Sequence, residues 1–183
     1  MRALVLDQST TTTGWAVVAE DAATEIYPGF PGVLIAHGRI NTPAKSGLVD
    51  RLTILRADIQ GLINAYKPDE LVIENTMFVQ RSGATSNAMG AIYVSCQEIA
   101  KANGLPMYSQ NPSTIKKKLT GDGKADKDAV IKAVCQYYGL PRHKILDDNH
   151  ADSLGAAFVW LFRCEEVRAA KAEKKRGKRS AGA

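Results

Sequence analysis

Three cysteines in 183 residues are too few and too scattered to staple a fold. Cys96, Cys135 and Cys164 form neither a CxxC pair nor an even set, which excludes a disulfide framework and makes them core fillers of a reducing cytosol. Long apolar runs are missing too. No segment approaches the roughly 18 uninterrupted apolar residues of a membrane span. The opening MRALVLDQS lacks the basic start and apolar stretch of a signal peptide, because Asp7 interrupts the run almost at once. The expectation is a soluble, cytoplasmic protein without a membrane partner. Internal repeats are absent, and low complexity is confined to the C-terminal end.

What the chain does have is 45% apolar residues, enough for one globular domain to bury a core of its own. The net charge of +5 is unevenly spread. Residues 168–183 hold seven bases against Glu173, a net +6, which leaves −1 for the other 167 residues. The division expected is a domain over 1–167 and a basic, flexible tail over 168–183. A near-neutral body with a basic arm suits a polyanionic partner, since Lys and Arg on phosphates release condensed counterions; a solvated terminus is the plainer alternative.

ALVLD at Ala3–Asp7 and GWAVVA at Gly14–Ala19, separated by a Ser/Thr-rich turn, predict an antiparallel hairpin. A Pro/Gly loop at Asp21–Gly32 precedes a third strand, Val33–Ile40. Leu48, Leu52, Leu55, Ile59, Leu62 and Ile63 recur at helical spacing, so Ser46–Tyr66 is a helix that Pro68 stops. ELVIE at Glu70–Glu74 is a strand. Ser82–Asn103 is a helix whose first half is crowded with small residues, suited to close packing inside the fold or across a dimer interface. An edge strand at Leu105–Ser109, a Lys-rich helix near Ser113–Leu119, a helix at Lys127–Tyr138 and a last helix at Asn149–Val167 complete an α/β layer fold, a mixed sheet flanked by helices.

Three acids sit where such a fold gathers side chains. Asp7 ends the first strand, Glu74 ends the strand after the first long helix, and Asp152 lies in the first turn of the last helix. Strand ends meet at one edge of the sheet, and a helix N-terminus can be brought against it. Singly, Asp7 reads as a turn residue and Asp152 as a helix-start charge. Together they offer the hard oxygen ligands that Mg2+ takes alongside water and phosphate. Two such ions about 3.5–4 Å apart can hydrolyse a phosphodiester.

These residues carry a resemblance. LVLDQSTTTTGWAVV, LVIENTMFVQRSGATSNAMG and DDNHADSLGAAFVW resemble, in order, the three acidic segments of the RuvC Holliday junction resolvases, over nearly all of residues 1–165. The resemblance implies a ribonuclease H-like fold with a mixed sheet of about five strands, a homodimer, and Mg2+-dependent incision of four-way DNA junctions. Two Mg2+ per site are implied, with Mn2+ as a substitute. Asp7, Glu74 and Asp152 match the family's carboxylates. The fourth ligand falls at Asn149, where the family often has Asp or His. Asn149 can offer a neutral carbonyl oxygen or simply cap the helix, and its neighbours Asp148 and His150 are the alternatives, although His150 would point about 160° around the helix from Asp152.

The resemblance also implies functional lysines at Lys116 and Lys127, near the scissile phosphate, where positive charge offsets the growing negative charge. Lys117, Lys118 and Lys124 are then phosphate clamps or plain surface charges. An aromatic after Glu74 is expected to stack on a base; Phe78 is the choice, with Met77 next and a core role for Phe78 as the alternative. The competing readings are a fork, flap or general branched-DNA nuclease of the same fold, a non-catalytic junction-binding protein, and a sugar-kinase or actin-like ATPase, for which the chain is too short. A branch-migration motor stays open as a partner. The Asp21–Gly32 loop and the tail hint at a divergent, bacteriophage-type member.

Overall fold

The computed structural model describes residues 1–21, 23–27, 30–75 and 83–180, with backbone alone at 26, 30, 31, 84 and 165–180. Its elements are β1 (Arg2–Asp7), β2 (Thr12–Ala19), β3 (Glu25–Tyr27), β4 (Phe30–Pro31), β5 (Val33–Asn41), α1 (Leu48–Tyr66), β6 (Glu70–Glu74), α2 (Gly83–Ala102), β7 (Met107–Gln110), α3 (Pro112–Thr120), α4 (Lys127–Tyr138) and α5 (Asp148–Ser180). A 3-10 turn, Arg142–Lys144, leads into α5.

Five strands form one mixed sheet in the order β5-β2-β1-β6-β7. The pairs β1–β2 and β2–β5 are antiparallel, and β1–β6 and β6–β7 are parallel. This is the α/β, ribonuclease H-like arrangement expected, with the proline-led strand at an edge.

The central strands are apolar on both faces because helices cover both. Side chains alternate along β1: Ala3 and Val5 join Ala16, Val18 and Val72 in a core closed by α3, α4 and α5. Leu4 and Leu6 join Val17, Leu71 and Ile73 in a second core closed by α1 and α2. The same alternation fixes the polar groups. Asp7 follows Ala3 and Val5 onto the α5 face, and since Ala3 pairs with Glu70 and Val5 with Val72, Glu70 and Glu74 share that face. Glu70 is spent structurally: the buried Trp160 of α5 donates its indole N–H to the Glu70 carboxylate at 3.0 Å.

Two details depart from the sequence reading. The Pro/Gly loop carries a small hairpin, β3–β4, too short for periodicity to reveal, with Tyr27 edge-on against Tyr137 of α4 at 4.7 Å. The last helix continues to Ser180. Its apolar pattern stops near Val167, but the segment beyond is rich in Ala, Lys, Arg and Glu, all strong helix formers.

One contact sets how closely α5 approaches the sheet. Gly14 pairs with Asp7 in the β1–β2 ladder. A Cβ built on Gly14 would lie 1.9 Å from the carbonyl oxygen of Asn149 and 2.7 Å from the backbone nitrogen of His150. Only a residue without a side chain lets the first turn of α5 rest on β2. Gly14→Ala must push that turn away, an overpacking cost of about 1–3 kcal/mol. We expect a lowering of the melting temperature by several degrees, about 2–4 °C per kcal/mol in a chain of this size, together with loss of activity; an unchanged melting curve would contradict the contact.

Candidate active site

At the C-terminal ends of β1 and β6, a cleft of about 650 Å³ is lined by Asp7, Glu74, Asn149 and Asp152, with Arg51 and Lys116 as its cations. Six elements contribute to its wall, α1 through Arg51 and α2 through Met89 among them. β1 and β6 end side by side in Asp7 and Glu74, α5 brings Asn149 and Asp152 over their face, and α3 supplies Lys116.

Asp7 is only 6% exposed. Its carboxyl is pushed well above the usual range by burial first, then by sharing a hydrogen bond with Glu74, then by the charges of Glu74, Asp152 and Asp147. Burial and Glu74 likewise raise Asp152 to about 6, against the pull of Lys116 and Lys127. Acids that resist ionisation in one another's company are relieved by a cation. The donor set of carboxylates plus an amide oxygen is the hard-oxygen chemistry that suits Mg2+. Among the described residues, no three His, Cys, Asp or Glu side chains gather tightly enough to enclose an ion unaided. An ion that keeps water and substrate phosphate in its shell does not require such a cage.

The three positions weighed for a fourth ligand stand in different surroundings. Asn149 donates its Nδ2 to the Thr12 carbonyl; because that partner can only accept, the amide oxygen is left as the group able to meet a cation. Asp148 pairs with the exposed Lys127, and neither lines the cleft. His150 is completely buried. Its Nδ1 accepts from the Leu146 N–H at 3.1 Å, so its Nε2 carries the proton and donates to Nδ1 of His37 on β5 at 2.7 Å. Burial first, then His37, holds His150 down at about 4, and burial also lowers His37. Both rings stay neutral and tie the first turn of α5 to the sheet. The helix cap is Asp147, whose carboxylate accepts from the His150 N–H at 2.9 Å and from Arg39 at 3.0 Å.

The lysines divide as well. Lys116 lines the cleft with its ammonium held by the Ala125 carbonyl at 2.8 Å. Lys127 is exposed, and its pairing with Asp148 keeps it charged by raising its pKa. Lys118 lies over the Phe162 ring, 4.1 Å from its centre. Lys117 and Lys124 are exposed. Met77 and Phe78 fall outside the described residues.

Some contributors escaped the sequence reading. Gln8 is 2% exposed; its side-chain amide donates to the Glu74 carbonyl at 2.6 Å and accepts from the Glu74 N–H at 3.2 Å. This extra rung locks the backbone next to Asp7 to that of Glu74. The only signal in the sequence was a polar residue beside a strand-end acid. Arg51 read as one more polar position on an amphipathic helix.

The family model described as crossover junction endodeoxyribonuclease RuvC matches residues 3–160. The RuvC of Gloeobacter violaceus is 32% identical over 163 residues, 88% of either chain. That of Rickettsia bellii is 31% identical over 162 residues, 88% of this chain and 97% of the relative. Among solved structures, Thermus thermophilus RuvC has a TM-score of 0.74 at 22% identity, covering 91% of this chain and 96% of that one. The same protein in complex with Holliday junction substrate gives 0.71 at 23% identity over 86% and 91%. The fowlpox virus resolvase with Holliday junction DNA gives 0.58 at 15% identity over 90% and 99%, a likeness of fold alone. These sequence relatives are bacterial, and the phage-type expectation finds no support in them.

The raised carboxyls predict an inverted pH response for the metal-free protein. Asp152 moves from an ordinary 3.8 to about 6 on folding. Its favourable contribution is therefore complete below pH about 4 and lost as pH rises through 6, on the order of 3 kcal/mol. In chelator, Asp152→Asn should hold its melting temperature between pH 4 and 7 better than the unaltered protein does. Parallel pH profiles for the two would contradict the shift.

Proposed function

Because the chain belongs to the RuvC family of crossover junction endodeoxyribonucleases, we propose that this cleft is the cutting centre of a Holliday junction resolvase that works with divalent metal. The reading rests on one observation: acids from β1, β6 and α5 line a single cleft. Asp7, Glu74 and Asp152 with the Asn149 amide oxygen would hold two Mg2+, or Mn2+ in their place, and Asp148 is the reserve ligand. Bound there, the cations supply charge neutralisation and an activated water for in-line hydrolysis of the phosphodiester.

The chain's own residues prepare that chemistry. Gln8 fixes Asp7 against Glu74, and Gly14 lets Asp152 and Asn149 come down on the same face. Lys116, oriented by the Ala125 carbonyl, offsets charge on a non-bridging phosphate oxygen, and the exposed Lys127 does the same. Lys117, Lys118 and Lys124 follow the DNA backbone, and Phe78 or Met77 stacks on a base at the opened junction. The basic segment from Arg168 adds a sequence-independent hold on DNA.

We also propose a homodimer, since two-fold symmetry lets paired sites nick opposite strands of a four-way junction. In support, Gly83, Thr85 and Ser86 at the start of α2 are exposed, and a Cβ at Gly83 or Gly90 would meet nothing within 4 Å among the described residues. Packing within one copy does not demand small residues there. Among the described residues no helix is long and apolar enough to cross a membrane, which fits work on DNA in the cytoplasm.

The test is a panel of labelled four-way junctions, forks, flaps and duplexes with Mg2+, Ca2+ or chelator. The expected outcome is Mg2+-dependent paired nicking of junctions in preference to the others. Asp7→Asn should bind junctions with unchanged affinity and cut at least a thousandfold more slowly, about 4 kcal/mol on the barrier. Retained cutting by that variant, or chelator-resistant cutting by the unaltered protein, would overturn the assignment.

A further inference from the structure

We infer that Arg51 is a phosphate-binding residue of the cleft, gripping the backbone of the DNA strand that enters it; the inference rests on the nuclease reading above and adds a DNA contact that neither the sequence nor the family resemblance suggested. Arg51 sits in the first turn of α1, and its side chain forms part of the cleft wall together with Asp7 and Glu74. The guanidinium is nearly unspent. One contact is visible, Nη1 to the Thr10 carbonyl at 3.5 Å, the limit of a hydrogen bond, and that carbonyl already accepts from the Thr42 hydroxyl at 2.5 Å. The Nε–H is buried and has no partner among the described residues. Among the described residues, no carboxylate pairs with Arg51.

An arginine in this state is costly in isolation. Leaving a buried donor unsatisfied forfeits its hydration, and more so when the group is charged. The Nη edge of the guanidinium is neither buried nor strongly bonded, and in the wall of a cleft it matches the oxygens of a phosphate diester.

Position strengthens the case. α1 lies in the layer on the Leu4–Leu6 face of the sheet, whereas α3, which carries Lys116, lies in the layer on the opposite face. Arg51 and Lys116 therefore approach the sheet edge from its two sides with the carboxylates between them. A strand whose phosphate sits over the acids, where cations would hold it, has backbone within reach of a positive group from each layer.

The test measures affinity for a fluorescently labelled four-way junction in Ca2+ across a salt series, together with single-turnover cleavage in Mg2+, for the unaltered protein, Arg51→Ala, Arg51→Gln and Arg51→Lys. Loss of one charged phosphate contact should weaken binding about tenfold or more in the Ala and Gln variants. It should also reduce the slope of log affinity against log salt by about 0.9. Arg51→Lys should restore the slope, since it keeps the charge, but recover the cleavage rate only in part, since it loses the fork. Arg51→Gln preserves a polar side chain of similar length and covers the case in which Arg51→Ala fails to fold. Variants with unchanged affinity and salt slope overturn the inference, as do variants that lose only melting temperature. If the unaltered protein binds no junction, the nuclease reading falls with it; if that protein binds and the variants match it, Arg51 alone is wrong.

Discussion

Two carboxyl groups held on adjacent parallel strands, with the same side-chain parity, are the constraint around which this fold is arranged. Asp7 and Glu74 end β1 and β6 on the face covered by α5. Water reaches little of Asp7, so the pair cannot both ionise cheaply, and one is driven to share a hydrogen bond with the other. A sheet selected only for stability would not place them so. The strain is tolerable because the surroundings are rigid: both faces of the central strands are buried, and Gln8 adds a side-chain rung at the point where the backbone ladder between β1 and β6 ends.

The remaining members of the site reach that pair through α5. Its first turn is held by a cap at Asp147, by a neutral imidazole pair linking His150 to His37, and by the Asn149 amide on the Thr12 carbonyl. Each link joins the helix start to a neighbouring segment or strand, and Gly14 removes the side chain that would hold them apart. Asp152, one turn further on, is thereby carried over the carboxylates of β1 and β6. The helix N-terminus serves mainly as a rigid arm for an acid, and of the residues whose hydrogen bonds position it, Asn149 also lines the cleft while Asp147, His150 and His37 do not.

Much of this was legible in the sequence because two periods dominate it. Alternation in ALVLD and ELVIE, and the 3.6-residue spacing of Leu48 to Ile63, locate the strands and helices, and the acids stand at their ends. Parity then decides the face on which Asp7 and Glu74 meet. What stayed hidden was long-range or non-periodic. The β3–β4 hairpin is too short to show a pattern, and α5 outruns its apolar stripe into a segment whose composition favours helix. Asn149 read as the fourth ligand or as a helix cap, with Asp148 and His150 as the other candidate ligands, and the structure gives the capping role to Asp147. Gln8, Arg51 and the His37–His150 pair depend on partners roughly 40 to more than 100 residues away, for which a single sequence carries no signal.

The central claim is that the clustered acids form an ion-binding site, and proton release on metal binding tests it most directly. Calorimetric titration of Mg2+ or Ca2+ near pH 6, in buffers of different ionisation enthalpy, should show the protein giving up protons as the raised carboxyls of Asp7 and Asp152 ionise around the ion. Replacing Glu74 with Gln should abolish most of the metal binding and the proton release with it. Binding without proton release, or undiminished binding in the Glu74→Gln protein, would contradict the account.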